Sequence, residues 1–162
     1  MMKDLHKLAE IYRPYPSGTI PALLHVRSAG HYVTGPGWSD GYAQKEFLEL
    51  FWCVRGEGEF RRDGKSWILK PGEVCFYFPD DIHDLLRRTP LWEYYWLTID
   101  GDNLPDLIDR FHLTRESRHA GSCPVDLFET LMTELRSCTR RGEFCAGAEA
   151  YKILSLAMAA RS

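Results

Sequence analysis

Residues 47–101 read FLELFWCVRGEGEFRRDGKSWILKPGEVCFYFPDDIHDLLRRTPLWEYYWLTIDG, and this stretch decides the fold of the chain. Short apolar or alternating segments in it are separated by turn sequences at intervals of roughly ten residues. The clearest turns are Gly56-Glu57-Gly58, Asp63-Gly64 and Pro71-Gly72, where glycine allows positive φ and proline fixes φ. Short strands with turns at this spacing predict a β-sandwich or barrel.

The last strand of this stretch, residues 92–99, is the richest in aromatic residues. Side chains alternate along a strand, so one face carries Trp92, Tyr94, Trp96 and Thr98, and the other carries Glu93, Tyr95 and Leu97. An aromatic ring can pack on the C–H face of a sugar-like ring, while a phenol or an indole N–H binds a hydroxyl. The first face is therefore predicted to line a ligand pocket, with ordinary core packing as the alternative for Trp92 and Trp96.

The chain divides into three predicted regions. Residues 1–20 form an N-terminal arm, because Pro14 and Pro16 prevent a continuing helix. Residues 21–101 form the β-barrel, with a first strand over 22–27 that ends near residues 28–30 and a loop over residues 35–41. From residue 102 onward the apolar period becomes helical, which predicts a helical region over 102–162.

Two apolar stripes define the predicted helical hairpin. The first comprises Leu127, Leu131, Leu135 and Cys138, and the second comprises Tyr151, Leu154 and Met158. Asp126 near the start of the first helix, and Arg136, Arg140 and Arg141 near its end, suit the helix dipole. The stripe must be buried, partly against the chain's own barrel and last helix.

Composition excludes several classes of protein. A net charge of −3 without a basic run argues against direct binding of this segment to a polyanion. The apolar run over 153–160 is too short to span a bilayer, and the charged N-terminus is no signal peptide. Five cysteines without a CxxC pair indicate neither a disulfide framework nor a zinc knuckle. We predict a cytoplasmic protein with no membrane partner.

Several segments in the expected order resemble the N-terminal regulatory domain of AraC-type transcription regulators. They are Ser28 to His31, Glu46 to Gly58, Leu69 to Val74, Pro79 to His83 and Trp92 to Gly101. The resemblance implies a mainly β fold, a cupin-like (double-stranded β-helix or jelly-roll) barrel followed by a helical hairpin. It also implies a small-molecule effector, often a sugar, and a homodimer formed through helices, here with Leu127, Leu131 and Leu135. In that family DNA is bound by a separate helix-turn-helix domain that follows the helices. The sequence up to Ser162 does not contain this domain, so we expect the chain to be a fragment.

The resemblance also assigns ligand-binding residues. The positions of Tyr94 and Trp96 face the effector in sugar-responsive relatives, and the arm from Pro14 to Ser17 resembles the segment that closes over it. Other positions depart from those relatives: Leu85 replaces a tyrosine, the place of a loop arginine falls near Gly41, and Tyr32 replaces a small hydroxyl residue. Arabinose is therefore not predicted, and a different sugar, a uronate or an aromatic metabolite stay open.

A metal-dependent cupin enzyme is the alternative function. Glu49 and His83 fall at two of the metal-ligand positions of such enzymes, but the two histidine positions near Ala43 and Lys45 hold residues that cannot serve. Metal sites normally use three or four protein ligands, so no metal, cofactor or catalytic residue is predicted. Glu49 is instead a strand residue at the barrel mouth, an intersubunit partner or a ligand contact. His83 is either a turn histidine bonded to backbone or a pocket residue that binds a ligand hydroxyl.

Overall fold

The computed structural model describes residues 5–14 and 20–160. The elements run, in chain order, β1 (Leu5–Tyr12), β2 (His25–Thr34), β3 (Ser39–Gln44), β4 (Leu48–Arg55), β5 (Gly58–Arg62), β6 (Lys65–Leu69), β7 (Glu73–Tyr77), β8 (Ile82–Arg87), β9 (Trp92–Asp100), α1 (Leu104–Arg110), β10 (Arg118–His119), α2 (Val125–Arg136) and α3 (Arg140–Ala159). The predicted class, a β-rich body followed by helices, is confirmed.

Two antiparallel sheets face each other. The larger sheet has the order β1-β2-β9-β4-β7-β10 and the smaller has the order β3-β8-β5-β6. An aromatic cluster joins the sheets, in which Phe51 of the larger sheet packs on Phe60 of the smaller with ring centroids 5.0 Å apart. This is the jelly-roll arrangement expected of a cupin-like fold, and its described strands form two sheets rather than one closed cylinder.

Strand β9 has the two faces that alternation predicts. Trp92, Tyr94 and Trp96 belong to the cluster between the sheets, whereas Tyr95, Leu97 and Ile99 belong to the core beneath the helices. The same division applies to β4, where Phe51 faces the space between the sheets and Leu50 faces the helices. We call these two sides the lumen face and the helix face.

The predicted Asp63-Gly64 hairpin is also confirmed. Both residues have positive φ, 51° and 76°, and Arg62 pairs with Lys65 across the turn. Two successive left-handed residues match the right-handed twist of the flanking strands.

The first barrel strand extends further than its sequence indicates. The small residues over 28–30 were expected to end it, but β2 continues to Thr34. The strand continues because residues 28–34 pair with β1 on one side and with β9 on the other. Glycine at position 30 leaves room for the Trp96 indole, which would lie 2.6 Å from a Cβ there. The loop predicted over 35–41 likewise ends earlier, where β3 begins at Ser39.

The N-terminal arm is extended, as predicted, over the residues described. It forms β1, which pairs antiparallel with β2 and closes one edge of the larger sheet. Residues 15–17 of the arm lie outside the described residues, and Pro14 is exposed.

The first long helix is shorter than predicted. Helix α2 ends at Arg136, because Cys138 adopts a φ of 53° and Thr139 then caps α3 by accepting a hydrogen bond from Gly142 N. Arg140 and Arg141 therefore begin α3 and do not end α2. None of the helices described here is long and apolar enough to cross a membrane.

The helical stripe lies mainly inside the protomer. Leu131 and Leu135 are fully buried between α3 and the larger sheet, and Leu127 is half-buried. The expectation that all three offer surface to a second copy therefore needs correction, since two of them have no accessible surface.

Candidate functional site

A cavity of about 800 Å³ opens between the two sheets. Strands β2, β4 and β9 supply one wall, while Trp38, Gln44 and Leu85 line the opposite side. Lys7 and Tyr12 of β1 and the exposed Asp102 lie at its rim. A volume of this size suits a small organic molecule.

The larger sheet presents three cross-strand rows to this cavity. From the rim inward they are Ser28–Thr98–Glu49, Gly30–Trp96–Phe51 and Tyr32–Tyr94–Cys53. Neighbouring strands lie about 4.8 Å apart, so the ends of one row are roughly 10 Å from each other. The rim row is polar and the inner rows are mainly aromatic. Groups that can bind hydroxyls therefore lie next to flat apolar surfaces, close enough for one ring-shaped ligand to contact both.

The rim row is hydrogen-bonded and backed by a buried histidine. Ser28 Oγ and Thr98 Oγ1 lie 2.5 Å apart, and Glu49 Oε1 lies 3.4 Å from His83 Nδ1. His83 has no exposed surface and stacks on Tyr77 at 4.1 Å between ring centroids. Tyr77 is itself fixed, because its hydroxyl donates to Asp84 O at 3.0 Å. The buried imidazole thus lies directly behind the carboxylate of Glu49.

The middle row centres on Trp96, which is only 4% exposed. Its indole N–H is buried and has no acceptor among the described residues. The ring contacts Tyr32 edge to face, with centroids 5.3 Å apart. The ring lines the cavity, so it offers an apolar surface to a ligand there.

Strand β1 is attached to the cavity wall through one carboxylate. Glu10 accepts hydrogen bonds from the hydroxyls of Tyr32 at 2.7 Å and Tyr12 at 2.8 Å, and it pairs with Lys7 at 3.1 Å. Burial raises the pKa of Glu10, but these three donors together outweigh it and the net pKa is lowered. Burial, and next the bond to Glu10, raise the pKa of Tyr32. The network holds the arm strand over the side of the cavity.

Four of the predicted ligand residues come together in the cavity wall: Tyr32, Glu49, Tyr94 and Trp96. The cavity lining does not include the other three. His83 lies behind Glu49, so it can reach a ligand only through that carboxylate. Pro14 is exposed outside the cavity.

Trp92 belongs to the closed end of the aromatic cluster. It is fully buried, with Trp38 at 5.9 Å and Phe60 at 6.2 Å between ring centroids. Its indole lies over Gly58, where a Cβ would approach within 2.3 Å. The alternative of core packing therefore describes Trp92, and its assignment to the ligand is corrected.

Sequence reasoning missed Ser28 and Arg27 as cavity residues. Alternation already placed Thr98 on the lumen face, and Ser28 follows once β2 is paired with β9. Arg27 carried no such signal, because it sits at an irregularity between Val26 and Ser28 in the register of β2 with β9. A bulge of this kind depends on the neighbouring strand and changes the direction of a side chain.

Metal binding is not favoured by this geometry. Within residues 5–14 and 20–160 no group of three or more His, Cys, Asp and Glu side chains could hold a metal ion. Glu49 and His83 form a pair only, and Ala43 lies opposite His83 in the register of β3 with β8. The prediction that the chain binds no metal stays a prediction.

Residues 25–150 match the family model described as the AraC-like ligand binding domain. No curated protein matches the chain significantly. Among solved structures, it is similar to a predicted oxalate decarboxylase from Thermotoga maritima, with 27% identity over 46% of this chain and 67% of that one and a TM-score of 0.43. A Cupin 2 conserved barrel domain protein from Salinispora arenicola shares 22% identity over 67% and 81%, with a TM-score of 0.44. The cupin domain of Schizosaccharomyces pombe Cnp3 shares 16% over 70% and 74%, with a TM-score of 0.49.

Proposed function

The chain belongs to the AraC-like ligand binding domain family, and we propose that it is the effector-sensing and dimerisation domain of a transcription regulator. In this proposal the cavity binds a small hydroxylated ring compound, a sugar or a sugar derivative. Binding would control DNA recognition by a helix-turn-helix domain that follows in the full-length protein. The observation that carries the proposal is a cavity of about 800 Å³ in which the Trp96 ring lies beside the polar row of Ser28, Thr98 and Glu49.

The chemistry of the wall supports such a ligand. Trp96, Tyr94 and Phe51 offer flat apolar surfaces, and Thr98 with Glu49 offers hydrogen-bonding oxygens next to them. A ring with hydroxyls at its edge and C–H groups on its faces satisfies both kinds of surface at once. The neighbouring His83 lies behind Glu49 and outside the cavity lining.

Thermal unfolding with a panel of sugars, sugar acids and aromatic metabolites tests the sensing role. At least one compound should raise the melting temperature, because a ligand that binds only the folded state stabilises it. Trp96→Ala should abolish that rise, whereas Tyr95→Phe, on the opposite face of the same strand, should retain it. If a folded Trp96→Ala variant showed the full rise in melting temperature, the ligand would not bind in this cavity.

The dimerisation role rests on a different surface from the predicted leucine stripe. Helix α3 exposes Phe144 and Tyr151, which share one face because they are seven residues apart. Sedimentation of the wild type should show a dimer, and Tyr151→Glu should shift it toward the monomer. A dimer that is equally stable in Tyr151→Glu would exclude this face.

A further inference from the structure

Arg27 is held at the cavity between two aromatic rings. Its guanidinium carbon lies 4.5 Å from the ring centroid of Phe47 and 6.0 Å from that of Tyr12. All three residues line the cavity, and Arg27 is half-buried. Rings at these distances attract the cation, but they leave its N–H donors unused.

The other cations near the cavity differ from Arg27 in their surroundings. Arg13 and Lys7 are already in ion pairs. Lys45 also lines the cavity, with its Nζ 5.9 Å from the ring centroid of Phe47. In the part of the chain that the structure describes, the Arg27 side chain makes no ion pair and no hydrogen bond. A half-buried guanidinium whose N–H donors are unused can bind a carboxylate through two parallel hydrogen bonds.

The acidic residues of the wall do not fill that role. Asp100 is already neutralised by Arg13, and Glu49 lies against His83. Glu46 and Asp102 are exposed at the rim, where solvent and salt screen their charges. A ligand carboxylate at Arg27 would therefore meet a guanidinium that has no anion, with Lys45 also in the cavity lining, and no buried, unpaired anion beside it.

Arg27 precedes Ser28 in β2, and Ser28 begins the polar rim row. Ser28, Thr98 and Trp96 line the same cavity as Arg27, so a ring-sized molecule bound at Arg27 can extend to the polar row and to the Trp96 ring. Resting on the proposed function, we propose that the effector is a hydroxylated ring carboxylate. Its carboxylate binds Arg27, its hydroxyls bind the rim row, and its ring packs on Trp96. Arg27 is then the residue that distinguishes acids from neutral sugars.

The test compares acids with their own methyl esters, which keep the ring and hydroxyls but lose the charge. Galacturonate and glucuronate with their methyl esters form the sugar arm, and hydroxybenzoates with their methyl esters form the aromatic arm. We expect an acid from one arm to bind at least about tenfold more tightly than its ester, as measured by calorimetry. Raising the salt concentration should weaken the acid and leave the ester unchanged.

Variants assign the effect to Arg27. Arg27→Gln should bring the acid's affinity down to that of the ester, while the ester binds as it does to wild type. Arg110→Gln, on the exposed side of α1, removes the same charge at the surface and should change neither affinity. Because Arg27 is only half-buried, the unfolding curve of Arg27→Gln should remain close to that of wild type.

Each outcome bears on one of the two proposals. Esters or neutral sugars that bind as tightly as the acids would overturn the acid class and leave the sensing function standing. An acid preference that survives Arg27→Gln would overturn the role of Arg27. Acids that do not bind in either arm would exclude ring carboxylates, and the sensing function would then depend on the wider metabolite panel.

Discussion

The two faces of strand β9 belong to very different environments, although their residues alternate along one segment. On the helix face, Tyr95 packs on Phe128 with ring centroids 5.2 Å apart, inside a core that α2 and α3 close. On the lumen face, Trp96 lies beside a cavity with its N–H unpaired. The helix face lies in the core, and the proposed binding site lies on the lumen face, so changes on the two faces should have separable effects.

Phe128→Ala should produce the largest loss of stability. Phe128 is fully buried, so its truncation should lower the free energy of unfolding by about 3–5 kcal/mol. Urea denaturation measures this loss, and Leu127→Ala, at a half-buried neighbour, should cost less than half as much. Ligand affinity of the folded fraction should not change. If Phe128→Ala folded but no longer bound ligand, the two faces would not have separable effects.

Gly30→Ala should damage both stability and binding, because it acts on the lumen face. The added Cβ would lie 2.6 Å from the Trp96 indole and displace it, at a cost of about 1–3 kcal/mol. Gly64→Ala is the control: it strains a hairpin with a φ of 76° but has no heavy atom within 4 Å of the new Cβ. The control should lose stability by about 1–2 kcal/mol and keep full ligand affinity. Equal affinities for both variants would contradict the position given to Trp96.

Glu49→Gln should reduce affinity more than stability. Glutamine fills the same volume but gives up the charge-assisted acceptor, so binding of a hydroxylated ligand should weaken by about tenfold. Glu46→Gln, at the exposed rim, should have little effect in the same calorimetric titration. If the two variants bind equally well, the ligand does not contact the polar row near Glu49.

Glu10→Gln should have the smallest effect, and it should depend on pH. The pKa of Glu10 is lowered in the folded protein, so its carboxylate stabilises the fold above its unfolded pKa, and this contribution is lost as the pH falls through the folded pKa. Unfolding of wild type and Glu10→Gln should therefore differ at neutral pH and converge in acid. A difference that is constant with pH would show that the charge of Glu10 does not hold β1 to the wall.

The local patterns of the sequence are sufficient to predict the two faces of β9. Alternation places Trp96 and Tyr95 on opposite sides of the strand, and Asp63-Gly64 specifies its hairpin, because both signals depend only on neighbouring residues. The sequence does not show which of the residues on one face reach the cavity and which are buried behind it. His83 and Trp92 have the chemistry of ligand contacts, yet long-range packing against Tyr77 and Phe60 removes them from the cavity.

The same limit explains Arg27 and the helices. The position of Arg27 depends on an irregularity in the pairing of β2 with β9, two strands far apart in the chain. The leucine stripe predicted a buried helix face correctly, but it did not reveal that the chain's own sheet and α3 cover Leu131 and Leu135 completely. Periodicity identifies which face is buried, and only the tertiary structure identifies what covers it.

The central claim is that the lumen face binds a small molecule, and a crystal structure with the most stabilising compound of the panel tests it most directly. We predict density between Trp96 and the Ser28–Thr98–Glu49 row, with the ligand against the Trp96 ring and a ligand oxygen within hydrogen-bond distance of the polar row. A compound bound at the outer surface, with no density in the lumen, would contradict the account.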